Sequence, residues 1–202
     1  MTTLLQIKAS IFADEGQSSR LADRFVERWQ AAHPDGRVRV RDLAADPVPH
    51  ITAERFKGFF TDPEERTPTQ VEATRLSDAL IEELTEADEV VLGLPMYNFT
   101  VPSTLKAWMD HVARAGTSFR YTSDGPIGLV GDKPVHILAA RGGRYSGTDA
   151  DTQTPLLRTF LGLLGLKDLQ FVYAEGLASS DGSAEETINE ALRRIDTAVV
   201  GS

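Results

Sequence analysis

Two hydrophobic patterns alternate along the chain. Short, dense apolar runs at Leu4–Ala9, Val38–Leu43, Glu89–Leu94, Val135–Ala140 and Leu169–Ala174 read as strands. Between them, apolar residues recur every three to four positions, as on one face of a helix. Leu21, Phe25, Val26 and Trp29 mark the first such stretch, which Pro34-Asp35-Gly36 ends. Val71, Leu76, Leu80, Ile81 and Leu84 mark a second, over Gln70–Glu86. Further helices are predicted over Ser103–Ala115, Thr154–Gly165 and Ala184–Val200. Pro102 or Ser103 can start the first of these three. Residues 45–68 carry Pro47, Pro49, Pro63 and Pro68 and read as a long surface excursion, helical in part near Arg55–Phe60. Residues 117–131, with Gly125-Pro126 and Gly128, predict a small hairpin or an ordered loop. Strands alternating with helices predict an α/β fold: a three-layer sandwich with a five-stranded parallel sheet and helices on both faces. One domain spanning 1–202 is expected, because no linker or repeat divides the chain.

Composition narrows the function. The formal net charge is −9 and no Lys/Arg block occurs, so nucleic acid is not an expected partner. Arg37-Val38-Arg39-Val40-Arg41 alternates instead, and predicts a half-exposed strand with one solvated basic face. No apolar run is long enough to suggest a membrane span, and the N-terminal residues lack the pattern of a secretory signal. The chain has no cysteine, which closes the thiolate and disulfide routes; a cytoplasmic location is the simplest expectation. Of the histidines, His136 reads as a sheet residue and His111 as a helix residue that could face solvent, while His33 and His50 sit beside prolines. No pair has metal-ligand spacing, so no metal site is expected.

Candidate chemistry gathers in the loops that follow three strands, where open α/β sheets bind ligands. The first loop runs from Ser10 through Gly16, Gln17 and Ser18 into the first helix. Its hydroxyls and helix-start N–H groups suit a phosphate, although N-capping by Ser18 or Ser19 accounts for them equally well. It has neither a Walker ending nor a dinucleotide fingerprint. The second loop is Pro95-Met96-Tyr97-Asn98-Phe99, in which proline stops the strand and large flat side chains follow beside an amide. The third is Ala140-Arg141-Gly142-Gly143, whose glycines permit close backbone approach. Together the loops describe a phosphorylated planar ligand; in doubly wound sheets of this order FMN lies at the switch between strands one and three.

Ordered segments along nearly the whole chain resemble one family. They are Arg41-Asp42-Leu43-Ala44-Ala45, Pro47-Val48-Pro49, Pro95 to Phe99, Ser103-Thr104-Leu105-Lys106, Asp110 to Gly116, Phe119-Arg120-Tyr121 and Gly125-Pro126. Gly128-Leu129, Arg141-Gly142-Gly143, Thr159-Phe160-Leu161-Gly162 and Phe171 to Gly176 continue the series. The pattern resembles the FMN-dependent NADH:quinone oxidoreductase and NADH-azoreductase family, of flavodoxin-like fold. The resemblance implies that Ser10, Gln17 and Ser18, with Gly16 backbone, hold the FMN phosphate. It implies too that Pro95, Met96, Tyr97, Asn98 and Phe99 flank the isoalloxazine, and that Ala140, Arg141, Gly142 and Gly143 face its pyrimidine edge. Gly16 and Ala140 depart from serines common in the family.

The implied reaction is ping-pong two-electron reduction of quinones and aromatic azo compounds by NADH or NADPH, with FMN carrying the chemistry and no protein acid or base assigned. Phe119 and Tyr121 would roof the acceptor slot, and Phe60 would act as a lid. The implied assembly is a homodimer with active sites at its interface. Two other readings are open to the same fold. One is an FMN electron carrier without an organic substrate, and the other a phosphate-binding hydrolase, against which the missing cysteine and missing carboxylate cluster argue.

Overall fold

A computed structural model describes residues 1–180 and 182–200. In chain order the elements are β1 (Thr3–Lys8), α1 (Gln17–Ala32), β2 (Arg37–Asp42), α2 (Ala53–Gly58), α3 (Pro68–Glu86), β3 (Glu89–Pro95) and α4 (Ser103–Val112). They continue with β4 (Phe119–Thr122), β5 (Gly125–Gly128), β6 (Val135–Arg141), α5 (Gln153–Leu164), β7 (Leu169–Glu175) and α6 (Ala184–Val200). Among the described residues the main sheet is parallel, in the order β2-β1-β3-β6-β7. The flavodoxin-like sandwich expected from the alternation is therefore the observed fold. Because the chain leaves β1 toward β2 and returns to β3 on the other side, a crevice opens at the C-terminal ends of β1 and β3.

Side-chain alternation divides the core into two layers. Leu5 and Ile7, Leu92 and Leu94, and Ile137 and Ala139 face α3, α4 and α5, where they meet Leu80, Trp108 and Leu161. Leu4, Val91 and Leu138 face the opposite side and meet Leu21, Phe25 and Trp29 of α1 and Ile188 and Ile195 of α6. Every residue of β3 and of β6 is buried, as continuous apolar runs require of doubly covered strands. Gly93 sets the distance to α1. A Cβ there would lie 2.8 Å from the Ser18 carbonyl oxygen, so only glycine lets the helix start close over β3.

The periodic pattern places the helices but not all their ends. α3 begins at Pro68 rather than Gln70, because Thr67 and Gln70 form a reciprocal capping box with proline inside the first turn. α4 stops at Val112, three residues short of the predicted Ala115. The 45–68 excursion does contain a helix, α2, capped by the Thr52 side chain. The basic face of β2 is not simply solvated: Arg39 pairs with Glu86 at 3.1 Å and Arg41 with Glu83 at 2.5 Å. His111 is fully buried rather than solvent-facing. It donates from Nε2 to the Pro49 carbonyl at 3.0 Å and so anchors the excursion to α4.

The predicted hairpin forms as β4–β5 and packs on the C-terminal end of α5, where Val130 N–H donates to the Leu164 carbonyl at 3.2 Å. The start of α5, at Gln153, touches the Pro95 carbonyl at the crevice. A helix of that length spans about 18 Å, so the hairpin lies at the far end of the sheet.

A buried polar cluster closes that same far end. Glu89 accepts from Trp29 Nε1 at 2.6 Å and from His136 Nε2 at 2.7 Å, and all three side chains are buried. Burial alone would raise the Glu89 carboxyl, but the bonds from His136 and Trp29 outweigh it and hold the group below its ordinary value. A depressed carboxyl contributes stability above its unfolded pKa and loses it as pH falls through the folded value. Urea unfolding should therefore show stability falling between about pH 5 and pH 3, and Glu89→Gln should flatten that slope. At neutral pH the same variant should cost about 1–3 kcal/mol; an unchanged slope would remove Glu89 from the acid response.

Candidate functional site

The crevice at the ends of β1, β3 and β6 collects the three predicted loops. A cavity of about 190 Å³ is lined by Ser10, Gly16, Gln17 and Ser18 from the first, by Pro95, Met96 and Tyr97 from the second, and by Ala140, Arg141 and Gly142 from the third. Phe12 and Leu177 complete it, and neither was singled out from the sequence. A large aromatic in an otherwise polar turn could have pointed to Phe12; nothing local marks Leu177. A second cavity, of about 560 Å³, shares Tyr97 and adds Asn98, Val101, Pro102, Lys106 and Leu156. A third, of about 410 Å³ beside α6, is lined by mixed charges, and its Arg193 and Arg194 are paired with Glu190.

The helix start bears on the capping reading of the first loop. Gln17 to Ser19 lie inside α1, and Gly16 occupies the cap without a side-chain bond. The first N–H groups of a helix have no intrahelical acceptor, and no serine caps them here. Ser18 and Ser19 are buried with hydroxyls that have no protein partner. An unpartnered buried hydroxyl costs free energy unless a ligand or water meets it. Ser10 Oγ accepts from Phe12 N–H at 3.2 Å and lies 3.4 Å from the Tyr97 hydroxyl, which links the first loop to the second. Gly16 packs directly on Ser10: a Cβ at 16 would sit 2.2 Å from Ser10 Oγ. This donor set, an uncapped helix start with orphaned hydroxyls, fits a phosphate monoester.

The second loop is a tight turn under strain. Tyr97 and Thr100 exchange both backbone hydrogen bonds at 3.1 Å, around Asn98 (φ +48°) and Phe99 (φ +65°). Two successive positive φ values define a mirror-image turn, which asparagine tolerates and phenylalanine does not favour. External bonds hold it: Thr152 Oγ1 donates to the Phe99 carbonyl and Gln153 Nε2 to that of Thr100 at 3.1 Å. The Phe99 ring is half exposed and meets Tyr145 edge-on at 5.5 Å; it does not line the crevice.

The third loop presents backbone only. Arg141 is 1% exposed, and its guanidinium turns into the protein rather than toward the crevice. Nε donates to Gln153 Oε1 at 3.1 Å, Nη1 to Glu175 at 3.0 Å and Nη2 to Asp151 at 3.0 Å, with the Tyr173 ring beneath it. Burial would raise the Asp151 carboxyl, yet its bonds from Thr154 and Arg141 hold it below its usual value. The Ala140 carbonyl accepts from Met96 N–H at 3.2 Å, tying the third loop to the second. The carbonyls of Gly142 and Gly143 are taken by Ala178 and Gly176, whereas their N–H groups have no partner among the described residues. Gly143 lies against the Tyr145 ring, outside the crevice lining.

Three predicted residues lie elsewhere. Phe119 is buried on the far hairpin and meets Tyr121, itself 75% exposed, edge-on at 5.4 Å. Phe60 is 65% exposed and packs on Phe56 at 5.2 Å, while its neighbour in the chain, Phe59, lies against His111. Among the described residues no group of acidic, histidine or cysteine side chains is arranged to hold a metal ion, and no helix is long and apolar enough to cross a membrane.

Comparison with known proteins agrees with this geometry. A family model described as flavodoxin-like fold matches residues 2–199. The FMN-dependent NADH:quinone oxidoreductase of Cellvibrio japonicus is 55% identical over 177 residues, 88% of this chain and 89% of the relative. The crystal structure of an azoreductase from Bacillus anthracis superposes with a TM-score of 0.91 at 31% identity, over 100% of both chains. A second Bacillus anthracis structure, an FMN-dependent NADH-azoreductase in complex with FMN, gives 0.89 at 26% identity over 99% and 98% of the chains. The chain belongs to the flavodoxin-like fold family and, within it, to the family of the FMN-dependent NADH:quinone oxidoreductases.

Proposed function

We propose that this chain is a single-domain FMN-dependent oxidoreductase that uses NADH or NADPH to reduce quinones and the azo bond of aromatic azo compounds. The observation that carries the reading is the convergence of three loops on one crevice whose helix start is uncapped and whose Ser18 hydroxyl is buried without a partner. FMN, when bound, supplies reversible two-electron chemistry between a nicotinamide donor and an organic acceptor in a ping-pong cycle. Ser10, Ser18, Gln17 and the N–H groups at the start of α1 hold the phosphate. Met96 and Tyr97 would flank the ring system, with Asn98 in the adjoining cavity, while Phe99 packs on Tyr145 outside the lining. Ala140, Arg141 and Gly142 would face the pyrimidine edge through their backbone, where the Gly142 N–H would favour negative charge; Gly143 follows outside the lining. No protein acid is assigned and protons for the acceptor would come from solvent: the cavity that the three loops share has no titratable lining side chain apart from Tyr97 and the inward-turned Arg141.

The assembly we propose is a homodimer with active sites at its interface. Exposed Phe60 and Tyr121, with Phe119 behind, lie away from the chain's own crevice and would serve the site of a second copy. The proposed location is the cytoplasm, in keeping with a cysteine-free chain.

The purified protein should be yellow, be bleached by NADH in a stopped-flow experiment, and recover its colour with a quinone or an azo dye. A preparation that takes up no added FMN would defeat the proposal, and one that NADH cannot bleach would leave only an electron carrier. Ser18→Ala should weaken FMN binding about tenfold, as expected for a hydrogen bond to a charged group. Gln153→Leu should cost about 2–3 kcal/mol in urea unfolding, because it strands Arg141 Nε and the Pro95 carbonyl and removes one of the two donors to the Thr100 carbonyl. Hydrogen exchange in the same variant should rise at residues 97–100; unchanged protection would mean that the turn holds itself.

A further inference from the structure

The first loop contains a backbone feature that its own residues do not explain. Ala13 has φ +47°, a left-handed conformation that costs a Cβ-bearing residue about 1–2 kcal/mol. It sits between Phe12 and Gly16, in a turn closed by the bonds from Ala13 to Ser10 and from Gly16 to Ala13. Beside it lies a buried cation. Lys8, at the end of β1, has a side chain 9% exposed and bonds the Asp14 carboxylate, which is 81% exposed. Asp23 on α1 approaches the same ammonium at 3.3 Å and is itself fixed by Gln6 Nε2 at 2.7 Å. Burial would lower the Lys8 pKa, but the two aspartates outweigh it and the group stays charged.

We propose that Lys8 is a positioning residue that latches the phosphate loop. Its ammonium, fixed to the sheet and to α1, grips Asp14 and holds the strained turn in the shape that presents Ser10, Gly16 and the α1 start to a phosphate. The inference rests on the assignment of this loop to the FMN phosphate and goes beyond it, since neither Lys8 nor Asp14 lines the crevice. It also distinguishes two roles of opposite sign. If Asp14 acted only through its charge, removing it would favour a dianionic phosphate. If it is the handle of a latch, removing it loosens the loop and disfavours the phosphate despite the gain in field.

The test titrates the full chain, stripped of flavin, with FMN and with riboflavin, which lacks the phosphate. Asp14→Asn, at an exposed position, should weaken FMN about threefold, the order expected of a partly exposed ion pair, and leave riboflavin unchanged. Lys8→Met should weaken FMN about tenfold, and Lys8→Arg should restore most of the loss. Should Lys8→Met fail to fold, the exposed Asp14 variant decides alone. Unchanged or tighter FMN binding by Asp14→Asn, or an equal loss for both flavins, would overturn the latch. Wild-type protein that binds FMN no better than riboflavin would overturn the phosphate assignment itself, and the latch with it.

Discussion

A guanidinium cannot lie in a protein interior without partners, and Arg141 at the end of β6 is 1% exposed. Its planar fork is met on each edge, by Gln153, by Glu175 and by Asp151. Those partners are also the supports of the crevice. Glu175 accepts the N–H groups of Tyr145 and Ser146, and so fixes the path of the chain beyond the glycine pair. Gln153 passes its own amide to the Pro95 and Thr100 carbonyls, and so fixes the second loop. One buried charge thereby couples two loops that meet across neighbouring strands. A lysine, a point charge without the fork, could not make these bonds at once.

The same economy governs the first loop. Gly93 lets α1 settle on β3, which brings the helix start down to the crevice and buries Ser18 and Ser19 where water would otherwise satisfy them. Burying unpartnered hydroxyls costs stability in the absence of a ligand, so the site is poised to gain from whatever meets them. The far end of the sheet has the reverse character. There Trp29 and His136 satisfy Glu89 fully, and nothing is left over for a ligand. The Glu89 cluster is paired where it closes the sheet, whereas the Ser18 hydroxyl at the crevice is buried without a protein partner.

Periodicity made the sheet legible because β3 and β6 carry dense apolar runs and are buried along their whole length, as strands covered on both faces are. The crevice was legible because Pro95, Gly16 and the Gly142-Gly143 pair punctuate strand ends that topology brings together. Side-chain direction was not. Arg141 stands in a binding loop and points away from it, and His111 lies on a helix with a polar neighbour yet is sealed by the excursion from Pro49. The hairpin aromatics Phe119 and Tyr121 lie at the opposite end of the sheet from their own crevice, a placement set by the packing of the hairpin on the end of α5. In each case the deciding contact is remote in sequence, and no local pattern encodes it.

The distribution of backbone strain adds a physical reason for this arrangement. Ala13, Asn98 and Phe99 are the non-glycine residues with positive φ among those described; Asn98 lines one of the two cavities, and Ala13 and Phe99 are next in the chain to lining residues Phe12 and Asn98. Strain of this kind persists only when the surroundings over-determine it. Around Asn98 and Phe99 the surroundings are Thr152 and Gln153, which reach in from the start of α5. Around Ala13 the restraint is Lys8, which reaches from the end of β1 to Asp14 of the loop. In both places the restraint is anchored in the rigid sheet-and-helix frame and acts on a turn that would otherwise relax. A loop free to relax would have to be reordered by each ligand molecule, at a cost in conformational entropy. By meeting that cost during folding, the buried clamps leave the crevice loops already shaped, and binding energy goes into contacts with the ligand.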